Sequence, residues 1–457
     1  MARFHFCVLV IMTAAFSAMP AAGDDWPRWR GPDQNGASKE KWQPSWPASG
    51  PKVLWETTVG RGQCSMIIGG GKLFTLGTTA NDEETIYCLD EFKGTLVWKY
   101  AYKTAIQLLR STDGVGPTPA LVDGRLYALG SAADLHCLDA ADGKVIWHKN
   151  LAKEIDTGTV AYGYDCSPAV ASGVVAIPAF PGIGQQPRAG GPYPADRGVL
   201  IGFAAADGHE VWRATQGASG WSSPLVVRMD GNELFVHATG QKVFGVETAS
   251  GKVAWSFDAT KDGALAGVGK AGCLCATPVV VGDKVLFTTA CMAKERVVAC
   301  LQVTGGKATL LWKNADAWDW VQSGTVWNNR YYKLAKKGLV CVDLDTGKTL
   351  WTYEKEGLAG PTVFGDGGGT PGGCLVAADG KIVVLSGNAA KGPQRTETLT
   401  LLEIGPTGCQ PLGAAAVLKT AGSRWPYSTV PVVSGGLIFC RNGAGNVQCL
   451  DLRAPAK

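Results

Sequence analysis

The chain has 457 residues, 46% hydrophobic and 18% charged, which excludes wholesale disorder. Its 43 basic and 39 acidic residues leave a formal charge of +4 with no basic run or acidic tail, which excludes a polybasic grip on nucleic acid or membrane. The 61 glycines have no three-residue period, so the chain is not collagen-like, and sixteen tryptophans beside five histidines are the anomaly. Length alone would suggest two or three domains.

At the N-terminus, Arg3 and His5 precede an apolar run from Phe6 to Phe16, and small residues stand at Ala21 and Gly23. This pattern predicts a secretory signal peptide over 1–23, because the run is too short for a bilayer span of about 20 residues. Cys7 lies inside the run, so no lipoprotein anchor is expected, and the predicted location is periplasmic or secreted. Residues 24–50, opening Trp26-Pro27-Arg28-Trp29, read as an extended arm against the body of the protein.

From there a repeat takes over. An apolar strand ends in an acid, Gly follows four residues on, and Trp eight on: Asp90, Gly94, Trp98; Asp139, Gly143, Trp147; Glu247, Gly251, Trp255; Asp343, Gly347, Trp351. Ala204, Gly208, Trp212 form a degenerate copy, and Gln302, Gly306, Trp312 carry two inserted residues. The acid can accept turn N–H groups, Gly supplies a positive φ, and the next strand carries the Trp. A second hairpin precedes each, as in Pro119–Val122, Asp123-Gly124, Arg125–Ala128, so every unit has four short strands in the length of a propeller blade.

First strands are expected near Cys64, Thr118, Ser167, Ser223, Thr277, Ser323, Gly373 and Thr429, which makes eight. The last unit stops after Leu452 without its fourth strand, while Val53–Thr57 is a fourth strand with no three before it. Pairing the two closes the ring and removes a free sheet edge. The expected fold is all-β: one eight-bladed β-propeller of four-stranded antiparallel blades over 51–457, closed by N- and C-terminal strands. Blade seven is irregular, with Gly405-Pro406-Thr407-Gly408 in its turn and no Trp, which leaves seven blades as the competing count. Trp55, Trp98, Trp147, Trp212, Trp255, Trp312 and Trp351 fill one packing slot. Cys88, Cys137, Cys300, Cys341 and Cys449 recur in another and read as buried, unpaired thiols. Cys273 and Cys275 lack a nearby histidine, so zinc is not expected.

The segments Asp343–Trp351 and Asp139–Trp147 match the tryptophan-docking motif A-x-D-x-x-T-G-x-x-x-W, and through it the chain resembles the pyrroloquinoline-quinone (PQQ)-like β-propellers over about residues 50–453. The resemblance implies that the repeated Trp side chains dock between blades. It spans quinoprotein dehydrogenases and non-enzymatic scaffolds such as the outer-membrane assembly factor BamB, and the N-terminal arm resembles that of exported planctomycete-type propellers. The sequence has no Cys-Cys pair, no C-x-x-C-H haem site, and no phosphate-loop, G-x-S-x-G or H-E-x-x-H motif.

The loops joining each blade to the next carry Arg61, Arg110, Tyr162, Tyr164, Asp165, Trp221, Trp318, Asp319, Trp320, Arg424, Trp425 and Tyr427. Aromatic platforms beside Arg and Asp suit a protein, small-molecule or saccharide ligand on the axial face. No catalytic residue or metal is assigned. The expectation is a monomeric, non-catalytic, BamB-like exported scaffold without a cofactor; the alternative is a PQQ- and calcium-dependent dehydrogenase oxidising an alcohol or sugar.

Overall fold

The computed structural model describes residues 25–43, 45–47, 49–106, 114–155, 163–179, 198–217, 221–239, 241–261, 276–289, 295–319, 322–355, 358, 374–387, 394–421 and 429–453. The expected signal peptide, Cys273 and Cys275 lie outside them. The described strands form eight four-stranded antiparallel sheets. Blades one to seven cover 67–103, 120–150, 169–217, 225–258, 279–314, 325–353 and 374–421, each in chain order. Blade eight takes three strands from 432–451, and its fourth, Lys52–Thr58, pairs antiparallel with Asn446–Asp451. The eight-blade count and the closure by the two ends are as the repeat predicts. A single turn of helix, Leu151–Glu154, is the one helix among the described residues.

Each hairpin forms for a local reason. Asp90 and Asp343 accept turn N–H groups from Lys93 at 2.9 Å and Thr346 at 2.8 Å. Gly94 and Gly347 follow with φ of 68° and 70°, a conformation that strains any residue with a Cβ. First strands of neighbouring blades touch, so they line the axis. The core is a series of apolar clusters, each shared by adjacent blades, such as Leu286, Cys300 and Trp312 with Tyr331, Val340 and Leu344.

The repeated Trp is the joint. Its indole N–H donates to the carbonyl one residue past the acid position in the next blade: Trp55 to Glu91 (2.9 Å), Trp98 to Ala140 (3.2 Å), Trp147 to Ala205 (3.0 Å), Trp212 to Thr248 (3.1 Å) and Trp312 to Leu344 (3.0 Å). The ring lies against that blade's turn glycine, where a Cβ on Gly347 would come 2.4 Å from Trp312. Within its own blade each Trp faces a small residue across the strands. That residue is Cys88, Cys137, Cys300, Cys341 or Cys449, or else Gly202 or Gly245. The recurrent cysteines are therefore free, buried thiols that leave room for an indole.

A register shift in the ladder falls just before the Trp in all seven blades that carry one. The skipped residue, such as Val97, Ile146, Val211, Leu311 or Leu350, points outward and accounts for most of the exposed large apolar side chains. A bulge bends and twists its strand, and here it accompanies the turn of the indole toward the neighbouring blade.

Three joints depart from the pattern. Trp351 donates one residue further along, to the Gly405 carbonyl at 3.2 Å. The inserted Gly305-Gly306 lengthens the blade-five hairpin, and the buried Trp255 Nε1 finds no partner. In blade seven the ladder skips Leu412, so Gly413 occupies the slot of the missing Trp. Trp46 of the arm sits over it: its backbone N–H donates to the Leu412 carbonyl at 3.4 Å, and a Cβ on Gly413 would stand 2.8 Å from the Trp46 Cβ. The arm thus supplies the indole that blade seven lacks, and the weak blade still counts as the seventh of eight.

Trp312→Phe removes a buried hydrogen bond and Trp255→Phe removes none, so Trp312→Phe should cost about 1 kcal/mol more in denaturant unfolding. Equal losses would contradict the docking bond. Trp46→Gly should cost about 3–5 kcal/mol, and Gly413→Trp should be destabilising alone but compensating in the Trp46→Gly background. Additive effects would show that the two positions do not share one slot.

Candidate functional site

The inner strands begin on a ring of hydroxyls. The Ser65 N–H donates to Thr118 Oγ1 (3.0 Å), Thr118 N–H to Ser167 Oγ (3.0 Å), Ser167 N–H to Ser223 Oγ (2.9 Å) and Ser223 N–H to Thr277 Oγ1 (3.2 Å). Ser323 Oγ then donates to the Thr277 carbonyl at 2.7 Å. Four of these residues precede proline, which has no N–H to compete for the hydroxyl. These positions are the expected strand starts; the ring itself is legible in sequence only as the recurrent Ser/Thr-Pro step.

The arm crosses the axis. Trp26 pairs with Ile68 of blade one, and the Pro27 carbonyl accepts from Leu121 of blade two. Three residues after each, Trp29 Nε1 donates to Thr277 Oγ1 of blade five at 3.2 Å, and the Arg30 guanidinium to the Gly324 carbonyl at the entry to blade six. Blades one and five, and two and six, are opposite in an eight-membered ring. Three residues reach only about 10 Å, so this segment lies in the channel rather than on the outer wall. It continues past Val226 of blade four, which donates to Gln34 Oε1 at 2.7 Å, and pairs beside Ala377 of blade seven. It ends on blade eight, where the Glu40 carboxylate takes the Gly435 and Gly436 N–H groups at 2.6 and 2.9 Å. Gly435 and Gly436 form a turn between first and second strands, so the arm occupies the mouth on that side.

The opposite mouth is the face on which the predicted ligand residues are expected. Arg110, Tyr162, Trp320, Arg424, Trp425 and Tyr427 lie outside the described residues. Arg61 is exposed on a backbone bridge to Thr78. Tyr164 is buried. Trp221 is partly exposed, with its N–H tied to the Gly163 carbonyl at 3.2 Å. Trp318 donates to the Thr289 carbonyl at 3.0 Å and carries the Arg296 guanidinium 5.2 Å from its ring centre. Asp319 is buried, accepting from the Gln322 N–H at 2.8 Å. Asp165 is exposed to solvent yet hemmed in by protein, and the loss of hydration raises its pKa to about 7.

Buried charges missed by the sequence reading tie blades together. Lys333 Nζ donates to Thr288 Oγ1 (2.9 Å) and to the Asp319 carbonyl (2.8 Å), and burial lowers its pKa to about 8 against the opposing pull of Asp319. Arg441 of blade eight donates to the Cys64 carbonyl at 2.6 Å and the Gly60 carbonyl at 3.1 Å, next to blade one. Glu84 accepts from Tyr102 Oη at 2.7 Å and from Ser131 of blade two.

A calcium-bound quinone would need six to eight oxygen ligands around the ion. Among the described residues no group of three or more His, Cys, Asp or Glu could hold a metal ion. Asp165 stands apart and Asp319 is built into the wall beside Lys333, so the described residues do not fit that group.

Residues 82–353, more than half of the chain, match the family model described as outer membrane protein assembly factor BamB. The chain belongs to this family of PQQ-like repeat propellers. Among solved structures it is similar to BamB from Moraxella catarrhalis, with 13% identity, TM-score 0.57, and coverage of 88% of this chain and 99% of that one. It is also similar to a quinohemoprotein alcohol dehydrogenase from Comamonas testosteroni, with 14% identity, TM-score 0.62, and coverage of 96% and 82%. The computationally designed Ika8 protein matches at 12% identity and TM-score 0.53, covering 88% of this chain and 100% of its own. At these identities the likeness is one of fold. No curated protein matches the chain. No helix among the described residues is long and apolar enough to cross a membrane.

The histidines are structural where they are buried. His237 lies against Phe244, ring centres 5.7 Å apart, and burial lowers its pKa to about 3. Its ordinary pKa is 6.5, so the unfolded chain binds more protons between pH 6.5 and about 3, and stability falls as pH drops through that window. His237→Leu should flatten this acid limb by up to about 1.4 kcal/mol per pH unit, read from denaturant unfolding across pH. An unchanged slope would refute the assignment.

Proposed function

We propose that this chain is a non-catalytic binding scaffold of the BamB type that works in an exported compartment. It receives a protein or small-molecule ligand at the axial mouth opposite the arm. The observation that carries this reading is the arm itself: it enters by one mouth and fills the channel, where Trp29 and Arg30 bond to the first-strand entries of blades five and six. The facing mouth keeps a partly exposed Trp221 beside an exposed Asp165. Large amphipathic side chains held by backbone bonds on a rigid ring suit recognition.

Purified protein mixed with PQQ and calcium is the test. The expected outcome is no bound-quinone absorbance band at micromolar cofactor and no dye reduction with alcohols or sugars. A band accompanied by substrate-dependent dye reduction would overturn the scaffold reading in favour of a dehydrogenase.

A further inference from the structure

The hydroxyl ring has a second tier. Gln63, Gly116, Asp165 and Trp221 each stand two residues ahead of a ring hydroxyl, at Ser65, Thr118, Ser167 and Ser223. Because the hydroxyls bond from blade to blade, these four follow one another around the mouth. Contact within the tier is direct: a Cβ on Gly116 would stand 2.0 Å from Asp165 Oδ1, so the carboxylate lies over a position that only glycine leaves open. Asp165 receives no hydrogen bond and no ion pair from any described residue, although protein hems it in and its surface is open to solvent. On its other side comes Trp221, whose orientation is fixed by the bond to Gly163. One blade on, Thr277 Oγ1 takes both the Ser223 N–H and the Trp29 indole N–H, so the arm ends on the same hydroxyl series.

We propose that this tier binds an organic cation, a primary ammonium or guanidinium group that pairs with Asp165 and lies against the Trp221 ring. The proposal rests on the scaffold reading and names the ligand class of that site. A recessed carboxylate without donors gains most from a ligand that brings both charge and N–H groups, and an indole face adds cation–π attraction. A carboxylate or phosphate ligand would meet like charge instead, and a neutral sugar would leave the charge uncompensated. The cation can arrive on a free amine or on a Lys or Arg side chain of a partner; the chemistry at Asp165 is the same.

Ionisation provides an independent readout. Protein packed around Asp165 costs the carboxylate hydration and raises its pKa to about 7, although its surface is open to solvent. Its neighbour Cys166 is pushed well above the ordinary thiol range, first by burial and then by Asp165, so it stays protonated. Gly116, Ser167 and Trp221 carry no charge. Cation affinity should therefore fall about tenfold per pH unit below 7 and level off above it.

The experiment titrates butylammonium and an end-blocked Gly-Lys-Gly peptide into full-length protein by calorimetry at pH 6 and pH 8. Asp165→Asn and Trp221→Leu variants are compared in parallel, with thermal unfolding as the fold check. The expected result is binding that weakens about tenfold from pH 8 to pH 6, is lost at least tenfold in Asp165→Asn, and drops several-fold in Trp221→Leu. Equal affinity for both probes would point to a free amine, and preference for the peptide to a partner side chain; either supports the cationic class. No binding of either probe to the wild type, or undiminished binding in a folded Asp165→Asn variant, overturns the proposal. Binding of butyrate or glucose that Trp221→Leu abolishes would overturn the cationic class while keeping an axial ligand site. Quinone binding with dye reduction overturns the scaffold reading itself.

Discussion

Everything in this ring depends on one joint, an indole clamped between two blades. The Trp N–H reaches a carbonyl in the neighbour's turn, its face rests on that turn's glycine, and a Cys or Gly opposite leaves it room. A lone four-stranded blade has two apolar faces and little means to cover either. Seven docked indoles, six of them bonded in this way, turn local hairpins into a single cooperative body, and the bulge before each Trp leaves an apolar residue on the outside. Those outward side chains follow from the docking geometry and are not a separate binding surface.

The N-terminal segment has three tasks, and they are mechanically linked. Its strand Lys52–Thr58 completes blade eight, Trp46 fills the slot that Gly413 leaves in blade seven, and Trp29 and Arg30 lie in the channel. Closure of the ring and closure of one mouth therefore depend on the same stretch of chain. This arrangement gives the propeller two unlike faces, one sealed from within and one built from the blade-linking loops. Buried charges at the seams, Lys333 with the Asp319 carbonyl and Arg441 with the Cys64 carbonyl, hold neighbouring blades by hydrogen bonds that a purely apolar seam would lack.

Function in such a fold is decided at the mouths, because the repeat itself is shared by unlike proteins. Both the BamB and the alcohol dehydrogenase structures share the ring, so the ring does not choose between them. In the proposed reading the choice lies with Asp165, Trp221 and the arm. Asp165 was legible in the sequence only as an acid in a blade-linking loop. Its position over Gly116, on which its proposed role rests, arises from a contact between residues 49 positions apart.

The sequence by itself determined the strands, the turns, the blade count and the pairing of the two ends, because each rests on short-range chemistry repeated many times. An acid four residues before a glycine, a Trp four after it, and a missing last strand are all readable along the line of the chain. The identity of the recurrent cysteines as indole neighbours, the substitution of Trp46 for a missing tryptophan, and the passage of the arm across the axis were decided only by the tertiary structure. Each depends on which residues meet across the ring, and a single occurrence leaves no period to read.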